Sequence, residues 1–154
     1  MKLYLVQHAK AASKEADPQR PLTEEGQWDI QKVADFIEQL DLSIDYLWHS
    51  GKTRAEQTAE ILAEAVEVTE EMSAHDGLSP NDDVTPLEEE LISKYQDIMI
   101  VGHLPFMSKL ASLLLTGSES SDTVAFRQGS IVCLEYTDDN RWQLQWMIVP
   151  DLLP

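Results

Sequence analysis

A chain of 154 residues is the size of one ordinary domain, and 43% hydrophobic content with four Trp fits a folded globular protein rather than a disordered one. With 28 acidic residues against 11 basic, a formal charge of −17, nucleic-acid binding is excluded as the main role, because the phosphate backbone would be repelled. No apolar run approaches a membrane span, and the first one breaks at Gln7-His8 before a secretory signal could form, so a cytoplasmic protein without a membrane role is expected.

The first stretch, Leu3-Tyr4-Leu5-Val6, is too short for a stable helix and rich in β-formers. It predicts a buried strand that delivers Gln7 and His8 to one end of a sheet. Asp17 to Leu22 carries two prolines and reads as a loop. Thr23 with Glu24 and Glu25 marks a helix start, and Trp28, Ile30, Val33, Ala34, Ile37 and Leu40 form an apolar stripe, predicting a helix over about 24–40. A second strand follows at Tyr46–His49, then a helix over about 52–66 with Ala55, Thr58, Ala59, Leu62 and Ala63 inward. Val66–Val68 is expected as a short strand, Asp76–Pro86 as a polar loop that could rim a site, and Pro86–Lys94 as a helix.

Asp97–His103 is another strand ending in histidine, and Pro105 opens a helix running to Leu115. Gly129–Tyr136 and Trp142–Val149 read as two strands joined by a turn. The single cysteine, Cys133, allows no internal disulfide and sits in an apolar run, so it reads as a small core residue. With neither repeat nor linker, the alternation predicts a single domain over 1–154: a three-layer α/β/α fold with a central, mainly parallel sheet and the last hairpin at its edge.

In a parallel sheet the strand ends at His8, His49-Ser50-Gly51 and His103 lie on one side. His8, His103 and Arg54, in the first turn of the helix after the second strand, can then converge on a phosphate pocket. Polar residues placed at strand ends only for solvation are the plainer alternative.

Four segments together resemble the histidine phosphatase superfamily (the phosphoglycerate-mutase-like fold), and within it the small SixA-type phosphohistidine phosphatases. They are Leu5-Val6-Gln7-His8-Ala9, Arg20-Pro21-Leu22-Thr23-Glu24-Glu25-Gly26, His49-Ser50-Gly51-Lys52-Thr53-Arg54-Ala55-Glu56-Gln57-Thr58-Ala59 and Val101-Gly102-His103-Leu104-Pro105. The resemblance implies that His8 is the nucleophile and takes up the phosphoryl group, while Arg54 and His103 hold the phosphoryl oxygens. It also implies no metal or other cofactor, a phosphohistidine-containing protein as partner, phosphate as product, and a place in signal transduction.

Two departures qualify it. The family's first strand usually ends Arg-His-Gly, whereas this chain has Gln7-His8-Ala9, which exchanges a charge for a neutral donor. Arg20, in the proline loop, is expected either to share the substrate-binding work with Gln7 or to pair with a surface carboxylate. No residue matches a general-acid motif, and the nearest candidate, Asp76, also reads as an exposed loop residue. A phosphatase of small esters and a weakened phosphate- or phosphoprotein-binding module are the alternatives to a phosphohistidine phosphatase.

Overall fold

The apolar runs that end in histidine are adjacent parallel strands, fully buried because helices cover both of their faces. The computed structural model describes residues 1–154. Its elements in chain order are β1 (Lys2–Gln7), α1 (Glu24–Glu38), β2 (Ser43–His49), α2 (Thr53–Ala63), β3 (Glu67–Ala74), α3 (Thr85–Lys94), β4 (Ile98–Gly102), α4 (Phe106–Thr116), β5 (Ile131–Tyr136) and β6 (Trp142–Ile148), closed by a 3₁₀ turn at Pro150–Leu152. The six strands form one sheet in the order β3-β2-β4-β1-β5-β6. Pairings β3–β2, β2–β4 and β4–β1 are parallel, while β1–β5 and β5–β6 are antiparallel, so the last hairpin supplies one edge as expected.

The chain moves from β1 past the place of β4 to β2 and β3, then returns to insert β4 between β2 and β1. Because parallel crossovers are right-handed, this reversal sends the helices to opposite faces. One core cluster joins α1 and α2 (Ile30, Val33, Ile37, Leu62) to Val6, Leu47, Met99 and Val101. The other joins α3 and α4 (Leu87, Leu91, Phe106, Leu110) to Leu3, Leu5, Ile98 and Ile100. Side chains alternate between the two clusters along β1 and β4, the period-two signature of a strand covered on both sides. A crevice is left between the helix layers at the carboxyl ends of β2, β4 and β1, the usual ligand position in such sheets. No helix is long and apolar enough to cross a membrane.

Two expectations change. Trp28 and Leu40, expected on the apolar stripe of α1, are 66% and 44% exposed. Trp28 lies two residues before buried Ile30, about 200° around the helix, and so faces away from the core. β3 is eight residues long rather than the three expected at Val66–Val68. It pairs only with β2, and exposed Glu67, Glu70 and Glu71 leave no apolar alternation to read, a composition that also discourages further strand pairing at the edge. The proline loop lies where the sequence predicts it, and it is pinned. Ala11 bridges Leu22, and the Ala12 N–H donates to the Pro21 carbonyl at 2.8 Å, which folds the loop back over the end of β1.

The start of α1 locks the same region. The Thr23 hydroxyl caps the helix by accepting from the Gly26 N–H at 3.0 Å, as the sequence predicts. Gly26 lets the helix touch the backbone leaving β1, since a Cβ there would stand 2.1 Å from the Lys10 carbonyl oxygen.

Candidate active site

Strands β2, β4 and β1 are neighbours, so their ends bring His49-Ser50, His103 and His8 into a row with β4 in the middle. Strand spacing near 4.8 Å sets the reach, and the His8 and His103 rings accordingly lie 5.0 Å apart, centroid to centroid. The His8 N–H donates to the Gly102 carbonyl at 3.0 Å, extending the β1–β4 ladder by one residue and fixing the backbone beneath the ring.

His8 Nδ1 lies 2.7 Å from the Ala9 carbonyl oxygen. A carbonyl only accepts, so the neutral ring carries its proton on Nδ1 and presents a free lone pair on Nε2. Burial pushes the His8 pKa from 6.5 down to about 4, against the pull of the Ala9 hydrogen bond and with help from the charges of Arg54 and Arg20. His103 is driven further, to about 3, by burial first and then by His8, Arg54, Lys52 and Arg20. Both rings are therefore neutral at physiological pH, since burial and the neighbouring cations both disfavour the imidazolium. The side chains whose charge shifts His8 are Arg54 and Arg20, and Lys52 joins them at His103.

Ser50, directly after β2, holds His103: its Oγ is 2.6 Å from Nε2 and accepts the Lys52 N–H at 3.3 Å. With that N–H on its lone pair, Ser50 can donate its own proton to Nε2, which leaves the His103 proton on Nδ1 as a donor. Thr58 ties α2 to the end of β1, its Oγ1 accepting from the Ala9 N–H at 3.1 Å and donating to the Arg54 carbonyl at 2.8 Å. Gln57 does the same for the loop, Oε1 accepting from the Leu22 N–H at 2.8 Å. These three anchoring roles are absent from the sequence reading. Ser50 and Thr58 stand beside predicted site residues, but only the folded geometry shows what they bond.

Gln7 and His8 are 8% and 7% exposed and His103 2%, all buried beside an open cleft of about 620 Å³. Arg54 joins the two regions: it lines the cleft, and its charge reaches both histidines. Arg20 lines the cleft as well. Its φ of 49° is left-handed, and its Nε donates to the Ala12 carbonyl at 3.0 Å, which steers the guanidinium. Arg20 is in no ion pair, and its charge is felt by His8, Arg54 and His103. His8, His103, Arg54 and Arg20 thus fall in one region, and Gln7 adjoins it through the backbone as the residue before His8.

Five buried side-chain polar atoms in the chain have no hydrogen-bond partner, and three belong here: Gln7 Oε1, Arg54 Nε and His103 Nδ1. Unspent hydrogen-bonding capacity in buried positions marks a site that a ligand completes. Asp76 lies in an exposed turn and does not line the cleft; its backbone carbonyl meets His75 Nδ1 at 2.6 Å. His75 is itself committed, stacked on Trp48 and bonded to Glu90 at 2.9 Å. His49 Nδ1 accepts from the Gly51 N–H at 3.1 Å and so caps β2.

A neutral imidazole nitrogen beside unpaired guanidinium groups, at the strand ends of an α/β sheet, is an arrangement suited to a phosphoryl group. Residues 3–79, half of the chain, match the model of the histidine phosphatase superfamily (branch 1), and the chain belongs to that superfamily. Its activity class is that of a phosphatase, and its fold is of SixA type. An uncharacterized protein of Picosynechococcus sp. (strain ATCC 27264 / PCC 7002 / PR-6) is 28% identical over 96% of this chain and 99% of its own. Among solved structures, the protein histidine phosphatase SixA complexed with tungstate superposes with a TM-score of 0.86 at 21% identity, over 98% of both chains. An alpha-ribazole phosphatase from Shigella flexneri gives 0.77 at 17% identity, over 97% of both.

The buried neutral histidines set a pH dependence. Their folded pKa values lie below the unfolded value of 6.5, so the unfolded chain binds more protons in acid. Their contribution to stability is complete above about pH 6.5 and is lost as the pH falls through about 4 for His8 and about 3 for His103. Ring signals of both residues in an NMR titration should stay flat from about pH 8 to about pH 5; a midpoint near 6.5 for His8 would show that burial does not keep it neutral.

Proposed function

We propose that this protein removes phosphate from phosphohistidine on a protein, through a covalent phosphoryl intermediate on His8. The observation that carries the reading is a buried, neutral histidine nucleophile with Arg54 at its side, next to a cleft whose one lining acid, Asp82, is tied to the Ser79 N–H at 2.9 Å rather than free as a general acid. An alkyl phosphate expels a poor alkoxide and needs such an acid. The imidazole of a phosphohistidine departs as a neutral ring because its other nitrogen carries a proton, so its P–N bond breaks without one. The SixA-like architecture points the same way, as does the open cleft, whose lining apart from Gly51, Pro18 and Pro80 is polar or charged.

In the first step the His8 Nε2 lone pair forms a bond to phosphorus as the substrate P–N bond breaks, and the leaving imidazole keeps both electrons and its proton. Arg54 and the His103 Nδ1–H take the charge that spreads over the phosphoryl oxygens, so positioning and electrostatics supply most of the rate. Water then attacks phosphorus, the Nε2–P bond breaks, and phosphate leaves with His8 returned to its neutral form. An acid-labile, base-stable phosphoryl label should appear on the wild-type protein and be missing from His8→Ala. A label that survives in the variant excludes His8 as the nucleophile, and stoichiometric binding without turnover would make the protein a binding module. A similar kcat/KM for an alkyl phosphate and a phosphohistidine protein would reveal an acid and favour small esters.

Gln7 stands where the family carries a charge, and Arg20 supplies that charge from the loop. Its bond to Ala12 and its lack of any acidic partner support this role. Removing a donor to a developing oxyanion costs about 2–4 kcal/mol of transition-state binding. Arg20→Ala should therefore lower kcat/KM by roughly 30- to 1000-fold, and Gln7→Arg in the same background should restore part of it. An Arg20→Ala protein with wild-type kinetics would return Arg20 to the surface.

A further inference from the structure

The cations of this chain are scarce and unevenly spent. Of 11 Lys and Arg residues, four (Lys14, Arg20, Lys52 and Arg54) line a single cleft, in a protein carrying 28 acids. Of the other seven, four are committed: Lys10 pairs with Glu25, Lys32 with Asp29 and Arg141 with Asp139, while Lys94 lies over the Tyr46 ring; Lys2, Lys109 and Arg127 are unpaired but line no shared cleft. None of the four in the cleft is in an ion pair. The one acid in the lining, Asp82, has an oxygen occupied by the Ser79 N–H at 2.9 Å. Four like charges brought together without counter-ions repel one another, and a bound anion relieves that repulsion.

Two of these charges, Arg54 and Arg20, serve the phosphoryl group in the function proposed above. Lys14 and Lys52 are left over. Both side chains are exposed, Lys52 uses only its backbone N–H in holding Ser50, and its charge still reaches His103. A lysine is a flexible point charge rather than a rigid fork, suited to carboxylates whose position varies from one substrate to another.

We infer that Lys14 and Lys52 form a second anion subsite beside the phosphoryl pocket, which takes a carboxylate-bearing segment flanking the phosphohistidine of the protein substrate. This rests on the phosphatase reading above. It also answers a difficulty of that reading. At a net charge of −17 the protein repels acidic partners at long range, and a local basic rim offsets this where the substrate docks. A second phosphate on a small ester presents the same chemistry and is the other source to distinguish.

The test uses two phosphohistidine peptides that differ only in carrying Glu or Gln on both sides, with the wild-type protein and a Lys14→Ala/Lys52→Ala double variant. Wild type should favour the Glu peptide by about fivefold in kcat/KM, mainly through KM, the size expected of exposed ion pairs. In the double variant that ratio should fall to about 1. No preference in wild type, or one that survives in the double variant, overturns the subsite. A small bisphosphate that gains over its monophosphate, where the Glu peptide does not, would reassign the rim to small esters and overturn the acidic-segment inference. If neither peptide turns over, the phosphatase reading fails by itself. The subsite then stands or falls on the same Glu-to-Gln ratio in Kd, measured calorimetrically on the same proteins.

Discussion

Burial without a counter-ion is what keeps His8 neutral, and the rest of the site depends on it. A histidine beside a carboxylate would hold its proton near neutral pH and lose the lone pair that attacks phosphorus. Here burial is the largest influence on the ring, and the neighbouring charges are all positive. The arrangement suits an anionic ligand, whose arrival would satisfy the guanidinium groups at the moment the nucleophile is needed. The cost is borne by the free protein, in unpartnered polar atoms on Gln7, Arg54 and His103 and in cations held close together. The sheet bears that cost because its central strands are buried to the last residue before the site.

Topology converts this local chemistry into a pocket. β4 enters the sheet between β2 and β1, so three strand ends that are remote in sequence meet in consecutive positions. Ser50, Thr58 and Gln57 then fasten the pieces, binding respectively the His103 ring, the end of β1 and the proline loop. Each fastening crosses elements and so ties the loop residues of the pocket to the sheet and to α2. A second cavity, about 440 Å³ between α3, α4 and the β5–β6 turn, lies at the opposite end of the sheet and has no part in this chemistry.

Much of this is legible in the sequence, for identifiable reasons. β1 and β4 are short apolar runs that end abruptly in histidine, and both that boundary and the burial follow from composition. The Thr23 cap with two acids behind it places the start of α1 within a residue. β3 is not legible, because an edge strand open to water carries Thr, Glu and Ser that a loop would also carry. Trp28 misleads because hydrophobicity was taken without its angle on the helix. The meeting of His8, Arg54 and His103 is predictable once the strands are parallel. The position of Arg20 is not, since it depends on a left-handed residue and a single bridge that no local pattern announces. The hydroxyl of Ser50 is equally silent until β2 and β4 are known to be neighbours.

The central claim is that the unspent nitrogens Arg54 Nε and His103 Nδ1, together with the His8 Nε2 lone pair, are completed by one tetrahedral oxyanion. A crystal structure of this protein soaked with tungstate tests it most directly. The account predicts the anion's metal atom within bonding reach of His8 Nε2 and its oxygens on the Arg54 guanidinium and His103, with the Ser50 contact to His103 retained. Tungstate bound in the outer cleft alone, with His8 Nε2 left free, would contradict it.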